Sequence, residues 1–153
     1  QVTDTQNFTV TVDPELTITA AVAVTITHDT TDANQVFAAQ SWTVTQNASA
    51  GASVTFSTNQ AFTNATASMK RNAKLDLAMA SSDTGSGWTV SVATDQTDYA
   101  NVTPDEVATV SAAATAPGNA AFNLTVTFVD TDFSVLASGN YVTTVTGTIT
   151  ANP

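Results

Sequence analysis

Apolar and polar residues alternate along most of this chain. Phe8, Val10 and Val12 alternate with Thr9 and Thr11. Beyond Pro14, Leu16, Ile18, Ala20, Val22, Val24 and Ile26 continue on the same parity. A period of two sustained this long predicts β-structure and not helix. Pro14 has no N–H to give a ladder, so it should divide the stretch into two strands.

Shorter alternating runs predict further strands. Trp42 and Val44 mark one near 41–46, Val54 and Phe56 one near 52–58, and Leu75, Leu77 and Met79 one near 74–80. Trp88, Val90 and Val92 mark 87–94, with a weaker run at 106–113. Phe122, Leu124, Val126 and Phe128 mark 121–129, and Tyr141, Val145 and Ile149 mark 140–150. Turn chemistry separates the runs at 47–51, 83–87, Pro117-Gly118-Asn119 and Ser138-Gly139-Asn140. Residues 61–72 are the best place for a short helix or a long loop. Eight or nine strands so spaced predict an all-β, two-sheet, immunoglobulin-like sandwich, with a jelly roll as the alternative. Residues 1–13 read as an N-terminal extension and 14–153 as a single β-sandwich domain.

Composition narrows the function classes. Charged residues are 10% of the chain, against about 25% in an ordinary soluble protein. Thr alone supplies about a fifth of the residues, and its β-branch suits a half-solvated pleated face. Such a surface fits an extracellular β protein better than a cytosolic enzyme. The net charge of −10 repels phosphate backbones, so nucleic acid is not expected as a partner. No apolar run is long enough to cross a bilayer, so membrane insertion is not expected. The chain begins at Gln1 without a signal-peptide pattern and is expected to be a processed, secreted product. With no cysteine, thiolate chemistry and cysteine metal sites are excluded.

Few residues suggest chemistry. His28 is the only histidine, and no nucleophile elbow, zinc-binding histidine pair or phosphate loop accompanies it. The chain is therefore read as a non-enzyme with no cofactor and no metal. The acidic pairs Asp29/Asp32, Asp95/Asp98, Asp105/Glu106 and Asp130/Asp132 carry oxygens suited to Ca²⁺, but none has EF-hand spacing. They read as turn residues. Trp42 and Trp88 are in phase with apolar neighbours and are expected in the core.

Other features bear on partners. Lys70, Arg71 and Lys74 are the only cations and lie within five residues, a candidate interface patch toward carboxylates of another copy. Sequons occur at Asn7, Asn47, Asn64, Asn101 and Asn123; Asn47 and Asn64 fall in predicted loops and are the better glycosylation candidates. Phe8, Val10 and Val12 place three apolar side chains on one face of an extended segment. Two readings stand: a first strand in its own sheet, or a strand that completes a neighbour's sheet.

The run Gly139-Asn140-Tyr141-Val142-Thr143-Thr144-Val145-Thr146-Gly147-Thr148-Ile149-Thr150 resembles the closing strand of spore-coat-U-like domains and the related chaperone–usher pilins. Phe8-Thr9-Val10-Thr11-Val12 resembles the donor strands of such subunits. The resemblance implies an incomplete immunoglobulin-like fold, finished by a neighbour's N-terminal strand in a non-covalent fibre. It also implies a periplasmic chaperone or export machinery as a partner. The chain lacks the cysteine pair common in the best-known pilins and the aromatic position many show near the terminus. The expected function is an extracellular structural subunit that polymerises with copies of itself. The alternatives are a carbohydrate-binding or adhesive surface module, and an S-layer or coat lattice subunit.

Overall fold

A computed structural model describes all residues, Gln1–Pro153. Eleven strands form two packed sheets, with one 3-10 turn at Phe133–Val135. The strands are β1 (Leu16–Thr19), β2 (Gln35–Val36), β3 (Gln40–Gln46), β4 (Ala52–Thr58), β5 (Phe62–Asn64), β6 (Met69–Ser82), β7 (Thr89–Val92), β8 (Thr94–Gln96), β9 (Thr109–Ala113), β10 (Ala120–Val129) and β11 (Val145–Ala151). One sheet runs β1-β3-β10-β6-β5, with β2 on β10 and β8 on β6. The other runs β11-β4-β9-β7. All named pairings are antiparallel. The all-β sandwich predicted from alternation is the fold.

The core lies where the alternating faces meet. Val54 and Phe56 of β4, Val110 and Ala112 of β9, Leu75 and Leu77 of β6, and Phe122 and Leu124 of β10 are buried in one cluster. Phe56 sits edge-on to Trp42 and Phe122, with centroids 5.1 and 6.1 Å away. Trp88 is buried, and its indole N–H donates to the Gly118 carbonyl at 3.0 Å. That bond supplies the partner a buried indole needs. Trp42 is half-buried against the same cluster. A smaller cluster of Phe62, Ala73 and Phe128 fills the far end.

Three expectations need correction. The predicted strand through Ile26 ends at Thr19. The β1–β3 pairing stops at Thr19↔Thr43 although β3 runs back to Gln40, and in that register residues 23–27 have no β3 residue opposite them. Val22, Val24 and Ile26 consequently remain exposed. Residues 61–72 are neither helix nor long loop: β5 and the start of β6 form a hairpin there. Residues 87–94 are split, because the chain leaves one sheet after Val92 and joins the other at Thr94.

Candidate functional site

The two flanks of the sandwich differ. At one, the crossing from β7 to β8 ties the sheets together, and Leu77 donates its N–H to the Ala93 carbonyl at 2.7 Å. At the other, β1 and β11 lie against each other as the outer strands of their sheets. Neither has a partner on its outer side.

The ladder parity identifies which backbone groups are free. Asn59 donates to the Thr144 carbonyl, and Asn152 donates to the Gly51 carbonyl. Even-numbered positions of β11 therefore turn toward β4. Val145, Gly147, Ile149 and Ala151 turn their N–H and C=O outward, because direction alternates in an antiparallel ladder. On β1, Asn47 donates to the Glu15 carbonyl at 3.2 Å, so Leu16 and Ile18 are the outward-turned residues. The side chains of Ile18, Trp42, Val145 and Ile149 pack against the core from this flank while remaining part-exposed. β11 contains no charge, proline or register shift. Those are the usual protections of a sheet edge.

Residues 1–15 carry no strand. Phe8, Val10 and Val12 are 85%, 88% and 77% exposed. Between Gln1 and Pro14 the only hydrogen bonds are Thr5 N–H to its neighbour Asp4, and Asn47 Nδ2 to the Asp13 carbonyl at 2.8 Å. Asn47 Oδ1 accepts from Glu15 N–H at 2.7 Å. The Asn47 amide thus brackets Pro14, filling both of its capacities on the chain either side of it. The geometry admits one amide orientation, since a carbonyl can only accept and an N–H only donate.

The cationic island is engaged within the chain. Lys70 pairs with Glu106, Lys74 Nζ lies 3.0 Å from Asp76, and Arg71 Nε donates to Asp130 Oδ1 at 3.1 Å. These partners come from the chain itself, which sequence position alone did not reveal. Asp130 has no exposed side-chain surface, and His28 Nε2 lies 3.2 Å from its other oxygen. Burial would raise the Asp130 carboxyl. The Arg71 hydrogen bond, the N–H groups of Asp132 and Thr131, and the Arg71 charge outweigh it and hold the group below the usual carboxylate range. The His28 ring stacks on Phe133 and meets Phe128 edge-on. This cluster fastens the end of the 20–27 segment to the end of β10.

The remaining candidates separate by burial. Asn64 is on β5, not in a loop, and is 1% exposed. Its Oδ1 accepts from Thr66 and Ala67 N–H, and its Nδ2 donates to the Ser138 carbonyl. A sugar on Asn64 is incompatible with the folded hairpin. Asn47 is exposed but holds the Pro14 bracket. The oxygens of Asp29, Asp32 and Asp132 accept from nearby backbone and side-chain donors. No group of three or more His, Asp or Glu side chains is arranged to hold a metal ion, and no helix is long and apolar enough to cross a membrane. No family model, curated protein or solved structure matches this chain.

Proposed function

We propose that the chain is an extracellular structural subunit that polymerises by lending residues 5–13 to the β1/β11 flank of a neighbouring copy. One observation carries this proposal: an unpaired, alternating apolar leader and an open, uncharged sheet edge occur in the same molecule. Added there, the leader gains ladder bonds to Val145, Gly147, Ile149 and Ala151. Phe8, Val10 and Val12 turn toward Ile18, Trp42 and Ile149. Burying three such side chains contributes about 4–8 kcal/mol before ordering costs.

Electrostatics favours the same surfaces. Copies with a net charge of −10 repel one another. Residues 5–12 and β11 contain no charged side chain, and Asp13, at the end of the lent segment, is its one charge. A free leader and a free edge also need to be kept apart before assembly. A periplasmic chaperone or export machinery that covers the flank would do so. The proposal assigns no catalysis and no cofactor.

Deletion of residues 1–13, followed by electron microscopy and sedimentation, tests it. The full chain should form filaments and the truncated chain none. Filaments from the truncated chain would sink the proposal and favour an S-layer or coat lattice. A full chain that stays monomeric and binds glycans would favour a carbohydrate-binding or adhesive module.

A further inference from the structure

A subunit that carries both a donor strand and an acceptor edge faces a competing outcome: it can cap itself. Its leader needs only to reverse after Val12 and return along β1. That closure is intramolecular and would win over assembly at low concentration. The residues around Pro14 bear directly on this competition.

Consider the loop that self-capping requires. The outward backbone groups of β1 belong to Leu16 and Ile18, so the returning strand must pair with them. A two-residue loop would pair Asp13 with Leu16 and Thr11 with Ile18. That turns Thr9 and Thr11 to the core and leaves Phe8, Val10 and Val12 in water. The shortest loop that pairs Val12 with Leu16 and Val10 with Ile18 has three residues, Asp13-Pro14-Glu15. Three-residue hairpin loops commonly need two right-handed helical residues followed by a left-handed one. Pro14 disfavours the helical conformation at Asp13. Glu15 would occupy the left-handed position, which suits glycine. The returning leader would also run parallel to β11, the slightly weaker ladder.

Asn47 adds a second barrier. Its amide holds the Asp13 carbonyl and the Glu15 N–H at 2.8 and 2.7 Å. Its backbone N–H holds the Glu15 carbonyl. All three bonds lie within the would-be loop, and they extend the β1–β3 ladder past Leu16 in the N-terminal direction.

We propose that Asn47 is a positioning residue for assembly: together with Pro14 it prevents self-capping and presents the leader to a second copy. This rests on the strand-donation reading. It adds what that reading leaves open, namely why the nearest edge is not the one filled.

The chain has no cysteine, so engineered disulfides report strand placement cleanly. Thr9 and Thr148 are both exposed, and by parity both face solvent when the leader lies on β11. T9C is combined with T148C, which reports a leader on β11, or with T19C, which lies opposite it when the leader returns along β1, in three backgrounds: native, N47A, and N47A/P14N/E15G. The last supplies an Asp-Asn-Gly loop suited to reversal.

In the native background, disulfides should join different chains and give a ladder on a non-reducing gel. In N47A the ratio of intrachain to interchain links should rise by about tenfold, the loss of a hydrogen-bonded bracket. The triple variant should be mostly an intrachain-linked monomer. Equal ratios in all three backgrounds would overturn the role of Asn47. If the native background gives no interchain links, and filaments form without residues 1–13, strand donation itself fails.

Discussion

Gly147 of β11 lies beneath the ring of Trp42. A Cβ at position 147 would come within 2.7 Å of Trp42 Cζ3 and 2.8 Å of Ile18 Cδ1. The glycine lets the two sheets approach at the open flank, and it sets the depth at which β1 and β11 meet. Gly147→Val should force the flank apart. The expected cost is about 1–3 kcal/mol from overpacking, read from the midpoint of urea unfolding. An unchanged midpoint would mean that Trp42 and Ile18 swing away freely.

Ala151→Pro addresses the free edge without touching the β4 ladder. Ala151 turns its N–H outward, so proline removes a donor that is unused in the single subunit. Stability should change by less than about 1 kcal/mol. Filament yield, measured by sedimentation, should fall strongly, because an incoming strand loses a ladder bond and meets the ring. Normal filament yield would exclude this end of the β11 edge from the contact.

Asp130 makes the stability of the fold depend on acid. Its folded value is depressed below the ordinary 3.8. Stability from this group is therefore complete above the ordinary carboxylate range and is lost as pH falls below about 4, through the lowered folded value. Asp130→Asn should cost about 3 kcal/mol at neutral pH, because the half-buried Arg71 is left without its counter-charge. The variant's unfolding free energy should also be flatter than that of the native chain between pH 5 and about 2. A parallel pH dependence in both proteins would assign the acid sensitivity to other carboxylates.

The hairpin at 62–71 offers a further check. Asn64 closes its loop by accepting from Thr66 and Ala67, and it is buried against Gly139. Asn64→Ala leaves those N–H groups and the Ser138 carbonyl without a partner. We expect a loss of about 2 kcal/mol by thermal or chemical unfolding. A loss below about half that would mean water replaces the side chain.

The buried strands were legible because their alternation has one cause, burial against the opposite sheet. Val54 and Phe56, Leu75 and Leu77, and Phe122 and Leu124 read as strands and are strands with buried faces. The same alternation at Val22, Val24 and Ile26 did not produce a strand. A pattern prepares a segment for a ladder but does not set where the pairing stops: the β1–β3 ladder ends at Thr19↔Thr43, and opposite Val24 and Ile26 β3 has no residue. The β5–β6 hairpin was hidden for the opposite reason. Residues 62–71 are mostly Thr, Ala and charged residues without sustained alternation, and Met69–Arg71 pair with β5 as the start of a strand that β10 and β8 hold from Asn72 onward.

At the candidate site, the leader's apolar stripe was visible, and so was the break at Pro14. The Asn47 bracket was not. Asn47 stood out only as a sequon, and its contacts to Asp13 and Glu15 span 34 and 32 residues. The free flank was equally invisible, since which strands end at a sheet's edge depends on the order of strands in space. The intrachain partners of the cations were hidden for a similar reason, because Glu106 and Asp130 approach Lys70 and Arg71 only through the fold.

Amide hydrogen exchange of the full chain, before and after assembly, tests the central claim most directly. The N–H groups of Val145, Gly147, Ile149 and Ala151 face outward in the isolated subunit and should exchange rapidly. On assembly they should become protected, together with alternate amides of residues 8–12, while Thr146 and Thr148 change little. If Gly147 and Ile149 exchange equally fast in both states, no strand is added at this edge, and the account is wrong.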